Sequence, residues 1–167
     1  MIEVRELTED DAGWAEEVHE QTWGGTALVA RLGELVDPRQ LSGFVALLDG
    51  ERVGLLNYNV QGDRMEVVTI VSLREGRGVG RALLDAARRR AQAAGCRRLW
   101  LVTTDNNLRA LALYRLCGLQ LVAFHHDGAA RSRQVKPSIP ARDQHGIPLT
   151  HELNLDLHLH TRPPSNP

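Results

Sequence analysis

Residues 65–81 read MEVVTIVSLREGRGVGR, a β-branched apolar run that meets glycines at 76, 78 and 80 and then opens a helix. Val67, Val68, Thr69, Ile70 and Val71 suit a pleated surface, so a buried strand is expected from Met65 to Leu73. From Val79 onward Leu83, Ala86, Ala87, Ala91 and Ala94 recur at helical spacing, while Arg81, Asp85, Arg88, Arg89 and Gln92 fill the opposite face. Gly76, Gly78 and Gly80 therefore fall on a strand-to-helix turn. Such a turn aims unpaired backbone N–H groups at one point, the helix dipole reinforces them, and the missing side chains let a phosphate approach. Arg77 and Arg81 add positive charge. The feature reads as a pyrophosphate cradle; the competing reading is a glycine-rich turn with no ligand.

Spacing removes two other phosphate loops. A Walker loop needs Lys-Ser or Lys-Thr after its last glycine, where this chain has Gly80-Arg81-Ala82. A dinucleotide fingerprint needs glycine at Arg81 or Leu83 and an acid near the end of the next strand, where Cys96-Arg97-Arg98 stands instead.

A second motif lies downstream, where residues 107–119 read NLRALALYRLCGL. Together the two resemble the GCN5-related N-acetyltransferase (GNAT) superfamily, whose motifs are Gln/Arg-x-x-Gly-x-Gly/Ala and Asn-x-x-Ala-x-x-Leu-Tyr-x-x-x-Gly-Phe. Gly78 and Gly80 match the first, and Asn107, Ala110, Leu113, Tyr114 and Gly118 match the second. Glu75 departs from the usual Gln or Arg, which weakens a side-chain contact at the loop entrance, and Leu119 replaces Phe. The resemblance implies an α/β (α+β) GNAT fold: a mixed, mostly antiparallel sheet of six to seven strands, flanked by about four helices and splayed at an acetyl-CoA site. It implies acetyl-CoA as cosubstrate, no metal, and an amine acceptor that is a small molecule or peptide. The coenzyme contacts it places here are Ile70, Val71, Ser72, Gly76, Arg77, Gly78, Val79, Gly80, Arg81, Asn107 and Tyr114.

Two proton problems attend acetyl transfer. The acceptor is an ammonium of pKa ~10 that must lose a proton before it attacks. The resemblance places a glutamate on the strand before the loop, and Glu66 stands there amid apolar neighbours expected to make it a stronger base; Asp63 and Asp127 are lesser candidates. The departing thiolate needs a donor, and Tyr114 matches the family's general acid. With tyrosine at ~10 and a thiol at ~8.5, that transfer runs uphill by about 2 kcal/mol, so a hydrogen-bonding role is the milder expectation. A CoA-binding sensor or interaction module of the same fold is the alternative to turnover.

At 167 residues the chain suits one domain, 1–167. Twenty Lys and Arg against 21 Asp and Glu call for no nucleic-acid partner, and no apolar run approaches a membrane span. A cytoplasmic enzyme with two reduced cysteines, Cys96 and Cys117, is expected; a homodimer is left open. Upstream, Met1 to Leu7 reads as a strand, and Thr8 caps a helix to about Gln21. Gly24-Gly25 breaks that helix, and Thr26 caps a second through Leu28, Val29, Leu32 and Leu35, ended by Asp37-Pro38. The resemblance implies that this helix pair flanks the acceptor site, so Trp14 and Trp23 are candidates to line it; the competing reading is a pair of core aromatics. Asp49-Gly50 joins Phe44–Leu48 to Val53–Val60 as a hairpin, and Gln61-Gly62-Asp63 turns into the strand of Glu66. Leu99 to Thr103 and Leu119 to His125 read as strands around the helix of Tyr114. Residues 127–149 read as a long Pro/Gly-containing loop before a C-terminal strand at 150–160, where Leu153, Leu155, Leu157 and Leu159 alternate with polar residues facing solvent. His158 and His160 read as ordinary members of that polar face.

Overall fold

The computed structural model of the chain describes residues 1–23 and 27–160. Asp49 and Gly50 take positive φ, 51° and 81°, which makes the two-residue turn expected between β4 (Ser42–Leu48) and β5 (Glu51–Gln61). Gly62 turns the chain again into β6 (Arg64–Ser72), so three consecutive strands pair antiparallel. β1 (Ile2–Glu6) lies outside β4; β7 (Arg98–Thr104), β9 (Glu152–His158) and β8 (Gln120–His125) follow β6. The result is a seven-stranded sheet of order β1-β4-β5-β6-β7-β9-β8, antiparallel throughout except at β6 and β7.

That one parallel pair needs a crossover, supplied by α2 (Val79–Ala93). α2 buries Val79, Leu83, Leu84, Ala86, Ala87 and Ala91 on the sheet, nearly the stripe read from the sequence; Ala94 lies exposed past the helix end. α3 (Leu108–Leu116) packs on the same face through Tyr114, and α1 (Ala12–Thr22) covers the other face, with Ala15 and Val18 against Leu55 and Val71. β6 and β7 pair only at Arg64↔Arg98, Met65↔Leu99 and Glu66↔Trp100, then part. A bulge in β6 coincides with the parting: Tyr58 opposes Val67 and Asn57 opposes Thr69, so Val68 is the extra residue and the strand twists there.

Three expectations are corrected. The second helix expected through Leu28, Val29, Leu32 and Leu35 is a β-hairpin, β2 (Val29–Arg31) and β3 (Glu34–Val36); Leu32 and Gly33 turn it with φ of 52° and 74°, a left-handed pair no helix accommodates. The expected Gly24-Gly25 break and Thr26 cap lie outside the described residues. The 127–149 loop contains α4 (Gly128–Val135), whose Ala-Ala-Arg-Ser-Arg-Gln run has adequate helical propensity; proline enters only at Pro137. The polar face of β9 is not a solvent face. β9 sits between two strands, and Glu152 and Asp156 are buried, Asp156 against Arg98 at 2.7 Å.

Candidate active site

Where β6 and β7 part, a cleft of about 810 Å³ opens between α3, through Leu108, Arg109 and Tyr114, and a wall formed by β2 and parts of residues 136–149. At one end the chain leaves β6, and Gly78 adopts φ 78° as the N-cap of α2. The first helical bond runs from Ala82 N–H to the Gly78 carbonyl at 3.0 Å, which leaves the amides of Val79, Gly80 and Arg81 without intrahelical partners. A Cβ at Gly76 or Gly78 would meet no atom within 4 Å, so the space before these amides is open. Arg77 and Arg81 flank it, exposed.

The remaining expected coenzyme contacts divide. Ile70, Asn107 and Tyr114 line the cleft; Val71 turns into the α1 cluster and Ser72 is exposed, so both offer backbone from the strand edge that β7 leaves unpaired. Of the loop, Glu75 reaches the lining, whereas Gly76 to Arg81 stand outside it. Glu75 pairs with Arg109 at 2.6 Å across the exposed entrance. The Tyr114 side chain is buried, its hydroxyl bonds to no described residue, and burial pushes the phenol above its usual range. A weak acid in that setting serves a sulfur better as a hydrogen-bond donor.

The other end of the cleft is charged and buried. Glu66 reaches the cleft, yet its neighbour is a cation instead of the apolar shell expected: Arg31 Nε donates to Oε2 at 2.8 Å and Nη2 to Oε1 at 2.7 Å. The bidentate fork raises the guanidinium pKa further and occupies both carboxylate oxygens. Lys136, 5% exposed, donates to the carbonyls of Trp23 and Leu28, and burial lowers its pKa. Glu152 is also buried and lines the cleft.

Trp23 lines this end, while Trp14, within α1, packs against the cluster of Leu55 and Val71 under Arg52. Trp23 Nε1 donates to His19 Nδ1 at 3.1 Å, so His19 carries its proton on Nε2 and donates to Asn57 Oδ1 at 2.9 Å. Thr69 donates to the same oxygen at 2.8 Å, which ties the network to β6. Burial depresses the His19 pKa and keeps the ring neutral.

Asp63 and Asp127 do not line the cleft. Arg31, Lys136 and Glu152 had no assigned part in the sequence reading. Arg31 fell inside a misread helix and Lys136 inside an apparent loop. Glu152 opened an alternating strand whose polar side gave no sign of lining a cavity. Among the described residues, His126, Asp127 and His151 bring ring nitrogens and a carboxylate oxygen within 4.8 Å of one another without lining the cleft; His158 and His160 do not join them.

A family model described as Acetyltransferase (GNAT) family matches residues 3–119. The protein YdhI of Bacillus subtilis (strain 168) is 34% identical over 115 residues, covering 68% of this chain and 72% of that one. Among solved structures, an IAA acetyltransferase from Bacillus cereus ATCC 14579 superposes with a TM-score of 0.71 at 18% identity, covering 95% of this chain and 100% of the other. A Bacillus subtilis acetyltransferase in complex with CoA superposes at 0.66 and 18% identity, covering 95% and 98%. At these identities the structural likeness establishes the shared fold.

Proposed function

The chain belongs to the acetyltransferase (GNAT) family, and from that premise we propose that it moves an acetyl group from acetyl-CoA to a primary amine by direct, base-assisted attack. The observation that carries this reading is a cleft in which an unpaired strand edge, Tyr114 and a buried charged wall meet, with the free amides at the start of α2 outside its lining. The residues fit the coenzyme: the open amides of Val79, Gly80 and Arg81 suit a diphosphate, and the β6 edge beyond Glu66 suits an extended amide-bearing chain.

The chemistry needs a base, an oxyanion donor and a partner for sulfur. Backbone N–H groups of the parted β6 edge would steady the developing oxyanion, and Tyr114 would donate to the sulfur as the C–S bond breaks. Glu66 serves as base only if Arg31 loosens its fork and a water carries the proton; otherwise the pair is a neutral wall that orients the acceptor. That occupied carboxylate favours the second reading, a coenzyme sensor without turnover. A cytoplasmic setting is in keeping with two free cysteines, and the exposed Leu121, Val122 and Phe124 of edge strand β8 offer a surface for a homodimer.

Thiol release from acetyl-CoA across a panel of primary amines tests the proposal. Amine-dependent release is expected; CoA binding without release would leave the sensor, and no CoA binding would remove both readings.

A further inference from the structure

Glu152 carries a charge for which the reading above has no use. It opens β9 and is 2% exposed, yet it faces the cleft. Each oxygen accepts one neutral hydrogen bond: the Leu32 amide donates to Oε1 at 3.0 Å, and the Ser132 hydroxyl donates to Oε2 at 3.1 Å. The Gly33 amide donates to Ser132 Oγ at 3.2 Å, which turns that hydroxyl's own hydrogen toward Glu152. A carboxylate offers about four acceptor positions, so roughly half of this one is unfilled. No Lys, Arg or His among the described residues forms an ion pair with it, whereas Arg31 fills both oxygens of Glu66. A buried anion without a counter-charge is costly and persists only where the surroundings hold it in place.

The surroundings do so from two separate elements. The β2–β3 turn supplies the amides, α4 supplies Ser132, and Gly128 at the start of α4 lies so close that an added Cβ would stand 2.8 Å from the Glu152 Cβ and 2.9 Å from Oε1. Register sets the direction. Glu66 opposes Trp100, Trp100 opposes Asp156, and Glu152 lies four residues before Asp156 on an unbulged pairing with β7, so both glutamates project from one face of the sheet.

We infer that Glu152 is the ammonium subsite for the acetyl acceptor, the carboxylate that receives its protonated amine and takes the proton from it. The inference rests on the acetyl-transfer reading. In the step, one proton moves from the ammonium nitrogen to a Glu152 oxygen. The freed nitrogen then forms the C–N bond to the thioester carbon and the C–S bond breaks. The second proton lost by nitrogen ends on the departing sulfur, and Glu152 returns its own to solvent.

Saturation-transfer NMR with n-butylammonium and benzylammonium, on the full chain loaded with CoA, tests the subsite apart from turnover. Wild type is expected to bind these probes. Glu152→Gln keeps the side chain's shape and is expected to weaken them at least about tenfold, with calorimetric CoA affinity within about twofold. Probe binding unchanged in Glu152→Gln, or absent from wild type that binds CoA, would overturn the subsite. Binding through Glu152 without thiol release would keep the subsite and overturn acetyl transfer. With an amine that is turned over, Glu152→Gln is expected to lose about 100-fold in kcat/KM at neutral pH, and its rate to climb with pH toward the amine's own pKa of ~10. A merely structural pin would lower Tm and leave that profile unchanged. Should Glu152→Gln fail to fold, Gly128→Ala displaces the carboxylate without removing its charge, and is expected to weaken the probes while sparing CoA; unaltered probe binding there would count against the inference.

Discussion

The two ends of the cleft are built by different means. The proposed donor end comes from one contiguous piece of chain, β6, its glycine turn and the first turn of α2, and it offers mostly main-chain groups to an exposed space. The proposed acceptor end is assembled from Arg31, Lys136 and Glu152, which are far apart in sequence, and it holds its charges buried. The contrast teaches that one end of the cleft is set by local backbone geometry, while the other is set by side chains that only the tertiary fold brings together.

Substitutions at the two ends should therefore fail differently. The largest effect is expected for Gly78→Val, because a β-branched residue resists φ 78° and projects into the open space before the amides. CoA affinity measured by calorimetry should fall about 100-fold or more; affinity near wild type would break the contrast at its donor end. At the other end, Arg31→Met strands a buried carboxylate, and denaturant melts should show a loss of about 3 kcal/mol. The double variant Arg31→Met with Glu66→Gln should recover much of it, and simple additivity would deny that the pair acts as a unit. Tyr114→Phe removes only a hydroxyl and should lower turnover about tenfold with CoA affinity nearly intact; unchanged turnover would take Tyr114 out of the chemistry.

A smaller effect follows from His19. Its folded pKa is depressed, so below about pH 6.5 the unfolded chain binds a proton that the folded chain refuses, and stability falls as pH drops through that window toward the folded pKa. Tm measured from about pH 7.5 down to 5 should decline, and His19→Gln should flatten that part of the curve. The smallest effect is expected at the donor entrance, where Glu75→Ala breaks an exposed pair with Arg109 and should change stability by under about 1 kcal/mol.

The same division governs what could be read from the sequence. β6, α2 and the strands around them were legible because β-branched runs, helical spacing and turn dipeptides act over a few residues, and the Asp49-Gly50 hairpin and the α2 stripe appear as expected. The β2–β3 hairpin was misread as a helix, since its apolar residues also match helical spacing and Leu32-Gly33 is not a common turn pair. Glu66 was placed on its strand correctly, but its partner Arg31 lies 35 residues away, so the apolar surroundings expected for it turned out to be a guanidinium. Period-two alternation in β9 reported which side chains share a face. It carried nothing about whether that face meets water or a buried cleft, and Glu152 was missed for that reason.

The most direct test of the account follows backbone amides in a ¹H–¹⁵N spectrum as CoA is added to the full chain. The account predicts its largest shifts at Gly78, Val79, Gly80 and Arg81 and along the β6 edge from Val67 to Ser72. Saturation with CoA while these amides hold their positions would contradict it.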